Sequence, residues 1–171
     1  DYELVFINDG STDHSAEILS SLAQKNDRVK VIHLSRNFGH QKAITAGLDH
    51  ASGEIAVIMD ADLQDPPEVI PEMLKKWTEG FKVVYGVRRQ RRGESLFKRL
   101  TATAFYRFLN SVSELKFAND SGDFRLLDRA VIDSFKQIRE DNRYIRGLIS
   151  WIGFSQCPIT YDRDPRYAGK T

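Results

Sequence analysis

The chain has 171 residues, 41% hydrophobic and 29% charged, which is an ordinary balance for one globular domain with its own core. Its net charge of +1 gives no overall reason to expect nucleic-acid binding, and the single cysteine, Cys157, excludes an internal disulfide and most cysteine-based metal sites. No apolar run approaches the roughly 18 residues of a membrane span, so we expect this chain itself to be soluble.

Short apolar runs alternate with amphipathic helical patterns over the first half of the chain. Most of the apolar runs end in glycine or polar turn residues, as buried strands do. The run at 55–59 has polar residues only at its ends, which is typical of a central strand covered on both faces. The alternation predicts an α/β sandwich with a mainly parallel sheet. The predicted strands are residues 3–9, 29–34, 55–59 and 81–87, and the predicted helices are residues 15–25, 41–51 and 66–79.

The second half is less regular and more unevenly charged. Between Arg88 and Arg99 there are six basic residues and one acid, Glu94, so this stretch is either a solvated surface or a phosphate-binding one. A helix is predicted from about 94 to 112, and its basic and aromatic residues suit either core packing or contact with anionic lipid. A strand at 121–128, a pair of helices and a strand at 155–161 follow, and Pro158 indicates that the last strand lies at an edge.

Two acidic turns follow predicted strands: "NDGSTD" contains Asp9 and Asp13, and "DADLQD" contains Asp60, Asp62 and Asp65. In open α/β sheets, ligands bind beyond the carboxyl ends of the strands. The alternative for Asp9 and Asp13 is that they only shape a turn and cap the next helix. Asp60 and Asp62 lie two residues apart, so they need a cation or a shared proton to offset their repulsion. Mg²⁺ or Mn²⁺, bound together with substrate phosphates, suits such a pair.

Other sites that use paired aspartates do not fit this spacing. A calcium-binding loop has glycine after its fifth position, whereas here Gln64 is followed by Asp65. A phosphatase-type aspartyl nucleophile would have threonine where Gln64 stands. The chain also has no glycine-rich dinucleotide-binding loop and no Walker loop, so neither of these cofactor sites is supported.

Five sequence blocks in the same order resemble the family 2 glycosyltransferases with the GT-A fold, and in particular the bacterial polyprenyl-phosphate glycosyltransferases and the dolichol-phosphate mannose synthase group. The resemblance covers essentially the whole chain and implies a three-layer α/β sandwich around a mainly parallel central sheet. The blocks are "FINDGSTD", "LSRNFGHQKAITAGLDHASGE", "VIMDADLQDPPEVIPEML", "VYGVR" and "SGDFRLLDR".

The resemblance implies a donor site for a nucleotide sugar. Asp9 would contact the nucleoside, and Lys42 would also belong to the donor site. Asp60 and Asp62 would flank a Mg²⁺ or Mn²⁺ ion on the diphosphate, with Gln64 at the same ion or near the sugar. A UDP-sugar is the favoured donor, and GDP-mannose is the other candidate.

The resemblance also implies a site for the phosphate of a polyprenyl acceptor. Its basic residues would be Arg88, Lys98, Arg99, Arg163 and Arg166, the last two on a mobile loop. A lipid monophosphate carries about −1.5 to −2 charges at pH 7 and is already a nucleophile, so it needs placement more than a strong base. The residues expected at the reacting centre are Asp62, Arg88 and Asp123, with Asp123 orienting sugar hydroxyls or an arginine.

Two family features have no counterpart in the sequence. Members of the family begin with a strand that carries a Pro-x-Tyr-Asn-Glu-like motif, and no residues here match it. Members of this branch also continue into transmembrane helices after the region that corresponds to "RYAGKT", and the given sequence does not include such helices. We therefore expect residues 1–171 to be one catalytic domain that lacks the first strand and the transmembrane region. The whole protein would act at the cytoplasmic face of the bacterial inner membrane, without nucleic acid.

Two other functions remain open at this point. The same fold transfers sugars to saccharide hydroxyls in cell-wall or surface polysaccharide synthesis, and a catalytically silent nucleotide-sugar-binding module is the second alternative. The four histidines show no ligand spacing and none is expected to bind metal. His40, in "NFGHQKA", is predicted to make a local contact, either in a loop or at a helix start.

Overall fold

The computed structural model describes residues 1–89, 121–138, 140 and 143–163. The helix predicted at about 94–112 and three predicted phosphate-binding residues, Lys98, Arg99 and Arg166, lie outside the described residues. No helix in the described part of the chain has the length and apolar character needed to cross a membrane.

The described helices and strands alternate much as the sequence predicts. The strands are β1 (Leu4–Asn8), β2 (Val29–His33), β3 (Ile55–Ile58), β4 (Val83–Arg88), β5 (Ser121–Asp128) and β6 (Gln156–Tyr161). The helices are α1 (Ser15–Lys25), α2 (His40–His50), α3 (Ile70–Thr78), α4 (Arg129–Gln137) and α5 (Ile145–Ile152), and a short 3-10 turn, Pro67–Val69, precedes α3.

The strands form two sheets. β1 and β2 pair in parallel, and the other four strands form a mixed sheet in the order β3–β5–β4–β6. β4 and β6 are parallel, whereas β5 runs antiparallel to both β3 and β4. The predicted α/β class is confirmed, and among the strands that the structure describes the one that contains Pro158 lies at an edge, as predicted. The predicted central position of residues 55–59 is wrong, because β3 ends the order of the described strands and its residues are only partly buried.

The core lies on both faces of the four-stranded sheet. Side chains alternate along a strand, so Val83 and Leu127 face one side while Val84 and Leu126 face the other. The first side is covered by α2, α4 and α5, and the second by α3. Each fully buried aliphatic or aromatic side chain contributes about 1.5–3 kcal/mol. Helices on both faces give the three layers that the resemblance implies.

The direction of β5 determines where the site forms. β5 begins opposite the end of β4, since Ser121 pairs with Val87, and it continues antiparallel to β3, where Arg125 pairs with Ile58. Asp123 lies two residues before Arg125, and Asp60 lies two residues beyond Ile58. The start of β5 therefore reaches the same rim of the sheet as the acidic turn that follows β3.

Candidate active site

The acidic turn after β3 has an unusual backbone. Leu63 has φ 58°, and it is the one described non-glycine residue with a positive φ. A left-handed conformation is costly for a branched side chain, and such outliers concentrate at functional sites. The turn lets the backbone N–H of Gln64 donate to Oδ1 of Asp62 at 3.1 Å. Asp62 is thereby held in one orientation, while the Leu63 side chain is exposed.

Asp65, the third aspartate of this turn, makes a structural contact with another strand. Asp65 is only 1% exposed, and its Oδ1 accepts a 2.5 Å hydrogen bond from the hydroxyl of Tyr161 at the end of β6. Burial and the neighbouring Asp65 raise the pKa of Tyr161 to about 12, so the hydroxyl remains a donor at physiological pH. Asp65 therefore ties the acidic turn to the last strand.

Asp60 lies in a negative environment at the rim. Burial raises the pKa of its carboxyl group, and the nearby carboxylates of Asp65, Asp62 and Asp123 raise it further, while His40 lowers it. A bound cation would relieve this repulsion. The local charge therefore fits the predicted metal site at Asp60 and Asp62.

The described residues alone do not provide a full set of metal ligands. Within the described ranges, no three or more histidine, cysteine, aspartate or glutamate side chains are grouped as a metal site. Mg²⁺ and similar ions are commonly held by one or two carboxylates with the remaining positions filled by water and substrate phosphates. The donor set of Asp60 and Asp62 fits an ion that arrives with a diphosphate, and Gln64 stays a prediction as a further ligand.

Asp123 is held by a cationic side chain on α5. Nε of Arg146 donates to Oδ1 of Asp123 at 2.8 Å, and Nη2 donates to Oδ2 at 3.1 Å. Burial disfavours the ionised form of Asp123, but hydrogen bonds from Arg146 and His40 outweigh burial and lower the pKa of this carboxyl group. The sequence predicts that Asp123 orients sugar hydroxyls or an arginine, but it does not identify Arg146, because nothing in "NRYIRGL" marks that residue.

His40 also contacts Asp123, which corrects the prediction of a purely local role. It starts α2 as expected, but its Nε2 lies 2.8 Å from Oδ2 of Asp123, 83 residues away. Its Nδ1 lies 3.8 Å from Oδ1 of Asp60. The prediction failed because the start of α2 and the start of β5 meet only through the packing of α2 against the sheet, which local sequence does not report.

A buried arginine lies beside Asp123 on the same strand. Arg125 is 3% exposed, and its Nη2 donates to the carbonyl oxygen of Gly122 at 3.0 Å. Its Nε has no hydrogen-bond partner in the described structure. Burial lowers the pKa of Arg125 to about 10, although the Asp123 carboxylate opposes this shift. Arg125 adds positive charge beneath the rim.

Two of the predicted phosphate-binding arginines lie at this rim. Arg88 ends β4, and its guanidinium lies over Gly122, where an added Cβ would be 3.1 Å from Nη2. Arg163 follows β6, and its Nη2 lies 4.0 Å from Oδ2 of Asp62. The described rim therefore brings together Asp60, Asp62, Asp123, Arg88 and Arg163, and the roles predicted for them stay predictions.

Asp9 fixes the segment that leads into α2. Its carboxylate accepts hydrogen bonds from the backbone N–H groups of Phe38, at 2.7 Å, and Gly39, at 2.9 Å. Gly10 allows this close approach, because an added Cβ would lie 2.5 Å from the backbone of Arg36. These contacts support the structural alternative for Asp9, and its predicted contact with a nucleoside stays a prediction.

Asp13 and Lys42 are the other two residues that the sequence singles out in this part of the chain. Asp13 accepts a hydrogen bond from the backbone N–H of Ser15 at 2.9 Å, so it shapes the turn before α1, whose N-cap residue is His14 and has no side-chain capping hydrogen bond. Lys42 lies in the first turn of α2, two residues after His40. Its predicted role in donor binding stays a prediction.

Comparison with known proteins places these features in a family context. The model of the family described as "Glycosyl transferase family 2" matches residues 1–135. An uncharacterized glycosyltransferase, YkcC, of Bacillus subtilis (strain 168) is 55% identical over 170 residues, which are 99% of this chain and 53% of that protein. The bactoprenol glucosyl transferase of Shigella phage SfV is 42% identical over 167 residues, 98% of this chain and 54% of that protein. The chain thus spans about half the length of these curated relatives.

Solved structures share the fold. Glucosyl-3-phosphoglycerate synthase from Mycobacterium tuberculosis, in complex with Mn²⁺, uridine-diphosphate-glucose and phosphoglyceric acid, matches with a TM-score of 0.56 and 20% identity, over 98% of this chain and 62% of that one. S. aureus TarS 1–349 matches with a TM-score of 0.58 and 15% identity, over 94% of this chain and 50% of that one. At these identities the likeness shows the fold alone.

Proposed function

The chain belongs to glycosyl transferase family 2, and from this premise we propose that it transfers a sugar from a nucleotide-sugar donor to a polyprenyl phosphate. The bactoprenol glucosyl transferase that shares 42% identity supports a polyprenyl acceptor. A UDP-sugar is the donor we favour, on the resemblance of the sequence blocks. The whole protein would act at the cytoplasmic face of the bacterial inner membrane.

The donor side of the proposed site is the acidic turn. Asp60 and Asp62 would hold a Mg²⁺ or Mn²⁺ ion, with Gln64 close to the same ion or the sugar. When bound, the ion would stabilise negative charge on the departing nucleoside diphosphate. Lys42 and Asp9 complete the proposed donor site, Asp9 at least by holding the segment before α2 in place.

The acceptor side is basic. Arg88 and Arg163 lie at the same rim as Asp62, and Lys98, Arg99 and Arg166 are proposed to join them. Guanidinium groups suit phosphate oxygens because their planar donors form paired hydrogen bonds. The arginines would place the phosphate and screen its charge as it approaches the donor.

The observation that supports this acceptor most directly is the state of Asp123. Its carboxylate is already bound by Arg146 and His40, and its pKa is lowered, so it is poorly suited to accept a proton. A hydroxyl acceptor would need a base to take its proton. An ionised phosphate oxygen has no proton to lose and needs no base. The state of Asp123 therefore favours a phosphate acceptor over a saccharide hydroxyl.

The proposed reaction is an in-line displacement. The bond between the anomeric carbon and the donor phosphate oxygen breaks, and its electron pair leaves with the nucleoside diphosphate. A new bond forms between an oxygen of the polyprenyl phosphate and the opposite face of the anomeric carbon. The configuration at that carbon is therefore inverted.

The test is incubation of the full-length protein with a panel of radiolabelled nucleotide sugars and undecaprenyl phosphate, with Mn²⁺, with Mg²⁺ or with a chelator. We expect one donor to give a lipid-linked sugar only when a divalent ion is present. Transfer that is undiminished by the chelator would contradict the metal site. Label recovered only on a saccharide, or donor binding without turnover, would favour one of the two alternative functions.

A further inference from the structure

His40 connects two carboxylates that come from different parts of the chain. It is the first residue of α2, while Asp60 follows β3 and Asp123 lies near the start of β5. The imidazole contacts Asp123 at 2.8 Å through Nε2 and approaches Asp60 to 3.8 Å through Nδ1. One side chain therefore lies between the proposed metal-binding carboxylate and the carboxylate beside Arg146.

The hydrogen-bond direction at Asp123 follows from its chemistry. Because the pKa of Asp123 is lowered, its carboxylate is ionised and only accepts hydrogen bonds. The hydrogen must therefore lie on Nε2 of His40. With Arg146 bound on the other side, Asp123 is held by two donors from two helices, α2 and α5. Its orientation is fixed by elements that are not on its own strand.

The two carboxylates would otherwise repel each other. The side chain of Asp60 is 38% exposed and that of Asp123 is 7% exposed, so solvent screens Asp123 poorly. The ring of His40 lies between the two carboxylates, where it donates a hydrogen bond to Asp123 and approaches Asp60 to 3.8 Å without a hydrogen bond.

We propose that His40 is a positioning residue at the rim of the sheet. It holds the carboxylate of Asp123 towards the sugar and that of Asp60 towards the metal. This inference rests on the proposed function and adds to it a residue from outside the acidic turn. Removing a partner of a metal-binding side chain commonly costs about 10–100-fold in metal affinity or activity. His40 would act only through the two carboxylates and would take no proton from the acceptor.

The two ring nitrogens allow the two contacts to be tested separately. In His40→Gln the amide nitrogen lies near the position of Nε2 and keeps a donor for Asp123. In His40→Asn the amide nitrogen lies near the position of Nδ1 and keeps a polar group beside Asp60. His40→Ala removes both contacts. His14→Ala is the matched control, because His14 precedes α1 and makes a local, exposed contact with Glu17 at 3.1 Å.

Two measurements on the full-length protein separate the contacts. The first is the affinity for Mn²⁺ in the presence of uridine diphosphate, followed by the electron paramagnetic resonance signal of free Mn²⁺. The second is kcat and KM for sugar transfer, with thermal unfolding of each variant as the check on folding. For His40→Ala we expect about tenfold weaker Mn²⁺ binding and about 10–100-fold lower kcat, with no change for His14→Ala.

The variants His40→Asn and His40→Gln test whether the imidazole only positions the two carboxylates or also transfers a proton. We expect His40→Asn to recover most of the Mn²⁺ affinity and His40→Gln to recover most of kcat. If both amide variants are as inactive as His40→Ala while they fold normally, the ring itself transfers a proton and the positioning role is overturned. It is overturned equally if His40→Ala matches His14→Ala in both measurements. Failure of the wild-type protein to bind Mn²⁺ with uridine diphosphate would instead contradict the proposed function.

Discussion

The guanidinium of Arg146 holds the carboxylate of Asp123 through two hydrogen bonds, 2.8 Å from Nε to Oδ1 and 3.1 Å from Nη2 to Oδ2. Paired bonds of this kind are strong and fix the orientation of both side chains. A carboxylate bound in this way stabilises its ionised form, so it is a weak proton acceptor at neutral pH. The pair therefore bears directly on how the acceptor is activated.

Asp123→Asn is expected to lower kcat by about tenfold and to leave donor binding intact. The amide keeps one acceptor oxygen for Arg146 or His40 but loses the charge. Loss of an obligatory general base typically costs 10²–10⁴-fold, so a tenfold effect separates orientation from proton transfer. The measurement is steady-state kinetics alongside calorimetric binding of the donor. A folded, donor-binding variant without turnover would mean that Asp123 is the base.

Arg88→Lys is expected to raise KM for the polyprenyl phosphate by about 10–100-fold with little change in KM for the donor. The change keeps the charge but loses the planar donors, and a hydrogen bond to a charged group is worth about 1.5–3 kcal/mol. The control is Arg89→Lys, because Arg89 is the next residue, is exposed and pairs with Asp162 at 2.9 Å. Equal effects of the two changes on KM would rule out a specific role for Arg88.

Tyr161→Phe is expected to destabilise the folded protein by about 1–3 kcal/mol, because it leaves the buried Asp65 without the hydroxyl that donates to it. The free energy of unfolding in urea is the measurement. Tyr144→Phe serves as the control, since Tyr144 is 51% exposed. If both variants unfold at the same denaturant concentration as the wild type, Asp65 does not depend on Tyr161.

Asp128→Asn is expected to reduce stability by about 1–2 kcal/mol at pH 7. Asp128 is the N-cap of α4, accepting from the backbone N–H of Ala130, and it also accepts from Trp77 and Lys82. Burial acts to raise its pKa, but these hydrogen bonds outweigh burial and lower it below the ordinary 3.8. The added stability is therefore complete above about pH 4 and is lost as pH falls through the lower pKa of the folded state.

Urea unfolding of wild type and Asp128→Asn between pH 7 and pH 3 measures this difference. The gap in the free energy of unfolding should stay constant down to about pH 4 and then shrink. Asp133→Asn on the same helix is the control, because the Asp133 side chain is 55% exposed and its pair with Arg129 at 3.5 Å is expected to contribute no more than about 0.5 kcal/mol. A gap that widens as pH falls would contradict the account of Asp128.

The sequence predicts most of the local structure and part of the site. The strands and helices before Arg88 lie within a few residues of the predicted bounds, because hydrophobic periodicity and turn residues are local signals. The rim with Asp60, Asp62 and Arg88 follows from the rule that ligands bind at the carboxyl ends of strands. The position of β5 between β3 and β4 does not follow from any local pattern, because it depends on pairing between distant segments.

The residues that sequence reasoning missed are those joined by that distant pairing. His40 and Arg146 meet Asp123 across 83 and 23 residues, and Tyr161 meets Asp65 across 96. In the sequence, Asp65 resembles a third member of an acidic cluster, yet in the structure it is buried and accepts a hydrogen bond from Tyr161. The different surroundings of Asp65 and Asp123 therefore depend on where β5 and β6 lie in the sheet, which local sequence does not report.

The most direct test of the proposed site is a crystal structure of the full-length protein with uridine diphosphate and Mn²⁺, with anomalous scattering recorded at the manganese edge. We predict an anomalous peak within coordination distance of both Asp60 and Asp62, with diphosphate oxygens on the same ion. A peak elsewhere, or a bound diphosphate with Asp60 and Asp62 turned away from it, would contradict the account.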